Sequence, residues 1–332
     1  DLMVAKLTPE QWSAYWQNST VTSFRGHFQH NYDGAIKQFW NGVFAGLADG
    51  ASILDLATGN GALAILAQQY SLKHGKGFRV TGIDSAEIKP ADYLSTQAGL
   101  AEPLAHIRFI SHTAIENTGL PAADYQLVMS QFGFEYADLI PACREVNRLL
   151  AVEQGVFAAM MHYQGSAVLE QAREALRQIN HCNNSGLLGV AAELVGLQEN
   201  LRKNGVLTKK EQEKAKQLQQ ALGQGLSRLK KFAGELQDPA HLMLFTGSLM
   251  RIFDRRLANK LSVQDRMDAL ERLRNEGDIY KLRMNDLTAA ALTDSKLGHL
   301  QQLLGGYGFD VSGKGTIDYA DRMFGKTIIA SR

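Results

Sequence analysis

Short apolar runs alternate with helical segments through the middle of the chain. The runs that predict strands are Ser52–Leu56, Phe78–Ile83, Ile107–Ile110, Tyr125–Ser130 and Gly155–Met161. The segments that predict the intervening helices are Ala62–Leu72, Ala86–Gln97 and Asp138–Leu150. Because the strand segments are apolar throughout rather than alternating with polar residues, we expect a parallel sheet that is covered by helices on both faces.

The two ends of the chain and the segment after His162 follow different patterns. Residues 1–50 predict helices, and residues 166–292 show almost no strand pattern but repeat leucines at helical spacing. After a helix over Asp294–Leu304, two closing strands are predicted from Phe309–Val311 with Thr316–Tyr319 and from Lys326–Ala330. We therefore expect three parts, which are an N-terminal helical cap (1–50), an α/β core (51–165 and 293–332) and a helical insertion (166–292).

Composition and charge narrow the class of protein. Hydrophobic residues make up 45% and charged residues 21% of the 332 residues, and the formal net charge is +1. A net charge of +1 produces no strong positive potential that would attract a polyanion, so we expect no nucleic-acid partner. Cys143 and Cys182 have no CxxC spacing, which argues against a disulfide framework or a metal site and favours a cytoplasmic location. Neither a signal peptide nor an apolar run long enough to span a membrane is recognised.

A glycine loop between two carboxylates carries the first candidate chemistry. Asp55 lies near the end of the first predicted strand, Gly59 and Gly61 follow in the loop, and Asp84 comes at the end of the next strand. Glycine permits a close approach of a ligand to the main chain, and a carboxylate at the second strand end can accept hydrogen bonds from both hydroxyls of a ribose. Together these features predict a nucleoside site at the carboxyl edge of the sheet.

Two classes of cofactor use such a site. A dinucleotide needs the pattern GxGxxG so that its pyrophosphate can sit on the helix N-terminus, and here Ala64 stands at the last position. Asp55 would repel a pyrophosphate, whereas it would suit the cationic amino end of S-adenosylmethionine. A nicotinamide-dependent oxidoreductase is therefore the less favoured alternative.

Three segments resemble the motifs of class I S-adenosylmethionine-dependent methyltransferases. ILDLATGNGALA (53–64) resembles motif I, VTGIDSAE (80–87) resembles the acidic-loop motif, and HTAIENTGLPAADYQLVMSQFGFEY (112–136) resembles the third and fourth motifs. The resemblance covers about residues 30–163 and 294–331. It implies a Rossmann-like class I methyltransferase sheet, mostly parallel with an antiparallel closing strand, and S-adenosyl-L-methionine as the cofactor. Ala57 stands where many members have glycine, and Thr113 near where many have an aspartate.

The resemblance also implies roles for individual residues. Asp55, Gly59 and Gly61 would hold the methionine end, and Asp84 would hold the ribose. Thr113 and Ala114 would flank the adenine, with Glu116 near them. Ala57, Thr58 and Ser85 are further cofactor-binding residues of the two loops. Ser130 and Gln131 would lie beside the sulfonium, and Tyr32, in the segment Asn31-Tyr32-Asp33, would cap the cofactor.

The candidate catalytic residues follow the fourth and fifth strands. Methyl transfer is an in-line displacement, and a nucleophile that is protonated at neutral pH needs a base. His162 at the end of the fifth strand is the best-placed base, and Tyr163 follows it; Glu135 and Tyr136 are the runners-up. A histidine at a strand end is more often a packed or hydrogen-bonded residue, so this assignment is a hypothesis.

The main functional hypothesis is methyl transfer to a small-molecule substrate. The insertion at 166–292 would act as a substrate cap or would join two copies of the chain in a homodimer. A second alternative is a non-enzymatic, cofactor-binding interaction protein whose helical insertion docks a partner. The methyl acceptor itself is not encoded in any recognised motif.

Overall fold

The computed structural model describes residues 6–18, 20–24, 28, 30–254 and 261–332. The chain divides into two compact units. The α/β unit comprises Leu7–Glu170 and Leu287–Arg332, and the helical unit lies within Gln171–Asp286.

One seven-stranded sheet forms the centre of the α/β unit, with the strand order β3-β2-β1-β4-β5-β7-β6. Its strands are β1 Ser52–Leu56, β2 Arg79–Ile83, β3 Ile107–Ile110, β4 Leu127–Gln131, β5 Val156–Met161, β6 Asp310–Tyr319 and β7 Arg322–Ser331. The first five strands pair in parallel, whereas β7 is antiparallel to both β5 and β6. The predicted fold class, a mostly parallel Rossmann-like sheet with an antiparallel closing strand, is confirmed.

Helices cover both faces of this sheet. They are α1 Pro9–Trp16, α2 Gly34–Ala45, α3 Ala62–His74, α4 Pro90–Leu94, α5 Ala101–Ala105, the 3-10 helix Phe134–Tyr136, α6 Leu139–Leu149 and, near the end of the chain, α12 Asp294–Gly306. Trp40 and Phe44 of α2 are fully buried in the core on one face, and Val146 and Leu149 of α6 in the core on the other. This burial on both faces explains why the strands are apolar at every position.

The helical unit contains a hydrophobic core of its own. The helices between β5 and α12 are α7 Ala167–Asn184, α8 Leu187–Asn204, α9 Lys209–Ala233, α10 Ala240–Ile252 and α11 Val263–Ala290. Leu187, Val195, Leu229 and Leu249 are buried within this unit. Among the described residues, no helix is both long enough and apolar enough to cross a bilayer.

Two segments differ from their predicted secondary structure. The helix predicted over Ala86–Gln97 is wrong in extent, since only Pro90–Leu94 is helical. The residues before it form a loop because the Ala86 amide donates to Asp84 and the Ile88 amide donates to Ser111 Oγ. At the other end of the chain, the two short runs Phe309–Val311 and Thr316–Tyr319 fall largely within one continuous strand, β6, which is irregular between Asp310 and Gly313.

Candidate functional site

The glycine loop after β1 turns tightly and leads into α3. The Thr58 amide donates to the Ile83 carbonyl at 2.9 Å, and the Gly61 amide donates to the Thr58 carbonyl at 2.8 Å. Gly59 has a φ of +53° and Gly61 a φ of +81°, the left-handed region that favours glycine. A Cβ on Gly59 would lie 2.5 Å from the Trp16 indole, and one on Gly61 would lie 2.7 Å from the Phe109 ring. Both positions therefore require glycine for conformation and for space.

Ala57 shares the left-handed conformation, with a φ of +53°. This geometry is unfavourable for an L-residue with a Cβ, and glycine would adopt it with less strain. Ala57 lies against Gly133, because a Cβ built on Gly133 would come within 2.5 Å of the Ala57 Cβ. The two loops that follow β1 and β4 are thus in close contact.

This contact predicts a compensating pair of substitutions. Gly133→Ala is expected to lower the free energy of unfolding by about 1–3 kcal/mol, because the added methyl overlaps that of Ala57. Adding Ala57→Gly to the same chain should restore most of that loss, as measured by urea denaturation. Gly298→Ala, on α12 with no neighbour within 4 Å of the added Cβ, is the control and should not be destabilising. Strictly additive effects of the two loop substitutions would contradict the contact.

Asp55 and Asp84 are the two buried acids of the site. Asp55 is 1% exposed, and one of its oxygens accepts from Thr58 Oγ1 at 2.5 Å and from the Ala64 amide at 3.2 Å. Asp84 is 6% exposed and accepts from the Gly59 amide at 2.8 Å and from the Ala86 amide at 2.9 Å. Register pairing places Asp55 beside Gly82 on the neighbouring strand, so the two carboxylates lie at one edge of the sheet.

Burial dominates the electrostatics of these acids. It raises the pKa of Asp55 to about 7, and the negative charge of Asp84 adds to the rise while the hydrogen bonds from Thr58 and Ala64 oppose it. Burial also raises the pKa of Asp84 above its ordinary value. A ligand that brings a cation to Asp55 and hydroxyl donors to Asp84 would stabilise both charged forms, whereas a pyrophosphate would destabilise them.

Helix α1 lies over the loops that carry these acids. The Trp16 ring contacts Gly59, and Ser13 Oγ accepts from the Glu87 amide at 2.8 Å, just beyond Asp84. The Trp12 ring meets the Tyr136 ring edge-on at 5.9 Å. Sequence reasoning missed these contacts, although two tryptophans four residues apart on one helix were a signal for a covering aromatic face.

The residues assigned to the adenine lie beside Asp84. The Thr113 amide donates to the Asp84 carbonyl at 2.8 Å, and Thr113 Oγ1 donates to the Ser111 carbonyl at 3.0 Å. Ala114 is exposed and Ser85 is half-buried. The Glu116 carboxylate accepts from the Asp138 amide at 3.0 Å, at the start of α6. The structure therefore brings Ser85 and Thr113 together next to the acidic strand end, while Glu116 is held at the start of a helix.

Ser130, Gln131 and Tyr32 lie at the buried end of β4. Ser130 Oγ donates to the Leu56 carbonyl at 2.9 Å, and Gln131 Oε1 accepts from Trp40 Nε1. Tyr32 is buried, and burial raises the pKa of its phenol well above the ordinary value. Its neighbour Asn31 donates from Nδ2 to the Ala62 carbonyl at 2.9 Å, which ties this segment to the start of α3.

His162 and Glu135 form a buried pair where β4 and β5 end. Glu135 Oε1 accepts from the His162 amide at 2.7 Å and lies 2.7 Å from His162 Nδ1. The two residues are 3% and 6% exposed, respectively. The sequence suggested them as competing bases, and the structure brings them together as one unit. In such a pair a carboxylate can orient and charge-stabilise the imidazole.

The two tyrosines suggested beside them are placed differently. Tyr163 donates from its hydroxyl to Asp294 Oδ1 at 2.9 Å, and Lys326 Nζ lies 4.9 Å from its ring centroid. These contacts hold the Tyr163 side chain to polar groups outside the buried pair. The Tyr136 ring, in contrast, approaches the His162 imidazole edge-on at 6.2 Å.

Aromatic side chains that sequence reasoning did not assign to the site surround the imidazole. Phe132 lies 4.5 Å from it and Phe24 lies 6.1 Å from it, between ring centroids. Phe324, on β7, lies 4.8 Å from Phe24 and 5.6 Å from Phe132. Phe132 has a φ of +57°, an unusual value for a bulky residue. Such strain is found at functional sites more often than elsewhere.

No protein-family model and no curated protein matches the sequence. Solved structures with a similar fold include geranyl diphosphate C-methyltransferase from Streptomyces coelicolor A3(2), with 18% identity over 48% of this chain and 66% of that chain and a TM-score of 0.34. The S-adenosylmethionine dependent methyltransferase from Mesorhizobium loti shares 22% identity over 39% of this chain and 54% of that chain, with a TM-score of 0.30. The PH0226 protein from Pyrococcus horikoshii OT3 shares 19% identity over 46% of this chain and 69% of that chain, with a TM-score of 0.34.

The chain spans about half to two thirds of the length of such structures.

Proposed function

We propose that this protein is an S-adenosylmethionine-dependent methyltransferase that acts on a small molecule. The observation that carries the proposal is the pair of buried acids, Asp55 and Asp84, on either side of a glycine loop at one sheet edge. One acid suits an ammonium group and the other suits a ribose. Two carboxylates at this edge do not suit the pyrophosphate of a dinucleotide, because like charges repel.

The residues that would hold the cofactor divide between its two ends. Asp55, with Ala57, Thr58, Gly59 and Gly61 around it, would bind the amino-acid end. Asp84 and Ser85 would bind the ribose, and Thr113 and Ala114 would flank the adenine. Ser130, Gln131 and Tyr32 would enclose the sulfur, and α1 would cover the loop through Trp16. When bound, S-adenosylmethionine supplies an electrophilic methyl group on a good leaving group.

The removal of a proton from the methyl acceptor would depend on His162 and Glu135. His162 would accept the proton of the nucleophile, and Glu135 would position its ring. Tyr163 is a weaker candidate for the base, since its hydroxyl is hydrogen-bonded to Asp294.

We also propose roles for the other parts of the chain. The helical segment 166–292 serves as a substrate cap or a dimer interface, and residues 1–50 contribute to the covering of the site. We propose that the protein acts in the cytoplasm.

Ligand binding tests this proposal directly. We expect S-adenosylhomocysteine at 100 times its Kd to stabilise the protein by about 2.7 kcal/mol, seen as a rise in melting temperature, because it binds the folded state alone. NAD should produce no rise. A rise with NAD and none with the sulfur compounds would favour an oxidoreductase and overturn the proposal. A protein that binds S-adenosylhomocysteine but transfers no labelled methyl group from S-adenosylmethionine to any metabolite would be an interaction protein.

A further inference from the structure

One nitrogen at the centre of the site has no hydrogen-bond partner. Within the described part of the chain, His162 Nε2 is buried and makes no hydrogen bond, while the opposite ring nitrogen is engaged by Glu135. An unpaired polar atom in such an environment is costly unless a ligand satisfies it. The position of His162 at the end of β5, next to the end of β4, puts this atom at the sheet edge that carries Asp55.

The contact of the opposite ring nitrogen with Glu135 defines what Nε2 can do in each protonation state. Glu135 Oε1 already accepts the His162 amide and lies 2.7 Å from Nδ1. With an ionised Glu135 and a neutral imidazole, Nδ1 would carry the proton towards Glu135 and Nε2 would be an acceptor. In the neutral ring, Nε2 therefore requires a hydrogen-bond donor, which an O–H group provides.

Apart from the Glu135 carboxylate, the side chains described around this imidazole are aromatic. Phe24, Phe132 and Tyr136 are the rings in contact with the imidazole, and Phe324 extends the same wall. Such a wall favours a planar aromatic ligand through stacked and edge-to-face contacts. A second carboxylate brought here would be repelled by Glu135 and would lose its hydration.

We propose that the methyl acceptor is an uncharged aromatic hydroxyl compound, a phenol, whose O–H donates to His162 Nε2 against the wall of Phe24, Phe132 and Phe324. This inference rests on the proposed function. As the new O–CH3 bond forms, the phenolic proton passes to Nε2 and the S–CH3 bond breaks, with its electron pair remaining on sulfur. The resulting imidazolium is paired with the Glu135 carboxylate until its proton leaves to solvent.

Four probes of one shape test the class of acceptor. With the protein saturated by S-adenosylhomocysteine, the Kd values of 2-naphthol, 2-methylnaphthalene, 2-naphthoate and 2-naphthylmethylamine are measured by calorimetry. We expect 2-naphthol to bind at least tenfold more tightly than 2-methylnaphthalene, since the hydroxyl satisfies the unpaired nitrogen. 2-Naphthoate and 2-naphthylmethylamine should both bind more weakly than 2-naphthol.

Variants connect that preference to the buried pair. His162→Gln should reduce the preference for 2-naphthol over 2-methylnaphthalene to within about twofold, and Glu135→Gln should reduce it in the same direction. A merely structural role would weaken both probes equally and leave the ratio unchanged. His299→Gln, on the exposed face of α12, is the control and should leave every Kd unchanged. The wild-type comparison alone decides the proposal if a variant fails to fold.

The outcomes separate this inference from the proposed function. Binding of S-adenosylhomocysteine together with equal binding of 2-naphthol and 2-methylnaphthalene would overturn the phenol assignment and leave the methyltransferase proposal intact. Tighter binding of 2-naphthylmethylamine or 2-naphthoate than of 2-naphthol would also overturn the phenol assignment alone, and would identify a different acceptor class. Failure to bind S-adenosylhomocysteine would overturn both. Formation of 2-methoxynaphthalene from 2-naphthol and S-adenosylmethionine would support both.

Discussion

Replacing Asp84 by alanine is expected to weaken the binding of S-adenosylhomocysteine by about 100-fold. The carboxylate would accept hydrogen bonds from two ribose hydroxyls, and hydrogen bonds to charged groups contribute about 1.5–3 kcal/mol each. At the lower end of that range, two such losses correspond to roughly two powers of ten in Kd. Calorimetric titration at one pH and one salt concentration measures the change.

The choice of ligand separates the two acids. 5′-Methylthioadenosine keeps the ribose but has no amino-acid end, so Asp84→Ala should weaken it as strongly as S-adenosylhomocysteine. Asp55→Asn should weaken only S-adenosylhomocysteine. Asp124→Asn, an exposed acid before β4, is the control for removal of a negative charge.

Asp84 also supports its own loop by accepting the Gly59 and Ala86 amides. Asp84→Asn, which keeps the size of the side chain, should therefore be examined beside the alanine variant. We expect a loss of about tenfold for it, because one amide oxygen remains as an acceptor. An unchanged Kd in both variants, with circular dichroism like that of the wild type, would show that Asp84 does not bind the ribose.

The second large effect is a pH dependence of stability that originates at Asp55. Its pKa is about 7 in the ligand-free fold because of burial, against an ordinary value of 3.8. The folded protein thus keeps a proton that the unfolded chain releases between these values. The stabilising contribution is fully present below pH 3.8 and is lost as the pH rises towards 7, by about 4 kcal/mol in total.

Asp55→Asn removes this titration while keeping the shape of the side chain. The free energy of unfolding of the variant, relative to the wild type, should therefore increase by about 4 kcal/mol between pH 4 and pH 8. Urea denaturation across this range measures the difference, in which the contributions of the other acids cancel. A difference that is constant with pH would mean that Asp55 is ionised in the ligand-free fold.

The same titration should appear in ligand binding. An ammonium group at Asp55 favours the charged carboxylate, so binding of S-adenosylhomocysteine near pH 6 should release about one proton from the wild type and none from Asp55→Asn. Calorimetry in buffers with different ionisation enthalpies counts these protons. Equal counts in the two proteins would place the ammonium elsewhere.

The strands and the acids of the site could be predicted from sequence because their signals are local. The buried runs fix β1 to β5 within a residue or two, and the spacing of Asp55, Gly59 and Gly61 follows from one strand–turn–helix unit. Asp84 is likewise fixed by its place at the end of β2. Parallel strands then bring both acids to one edge without further information.

The contacts that complete the site depend on residues far apart in the chain. Glu135 and His162 follow different strands, and only the pairing of β4 with β5 makes one the partner of the other. Trp16 reaches Gly59 from a helix that precedes the sheet. Periodicity identifies such residues as helical or apolar, but it does not determine which loop they cover.

If the proposed function holds, the buried acids would also affect how long the protein survives in a cell. Near neutral pH the ligand-free fold holds Asp55 and Asp84 with raised pKa values, so part of its stability is absent until a cation and hydroxyl groups arrive. Proteases act on the unfolded fraction, and a change of 1–2 kcal/mol can alter abundance several-fold. The supply of cofactor would then set the half-life of the protein as well as its rate of turnover.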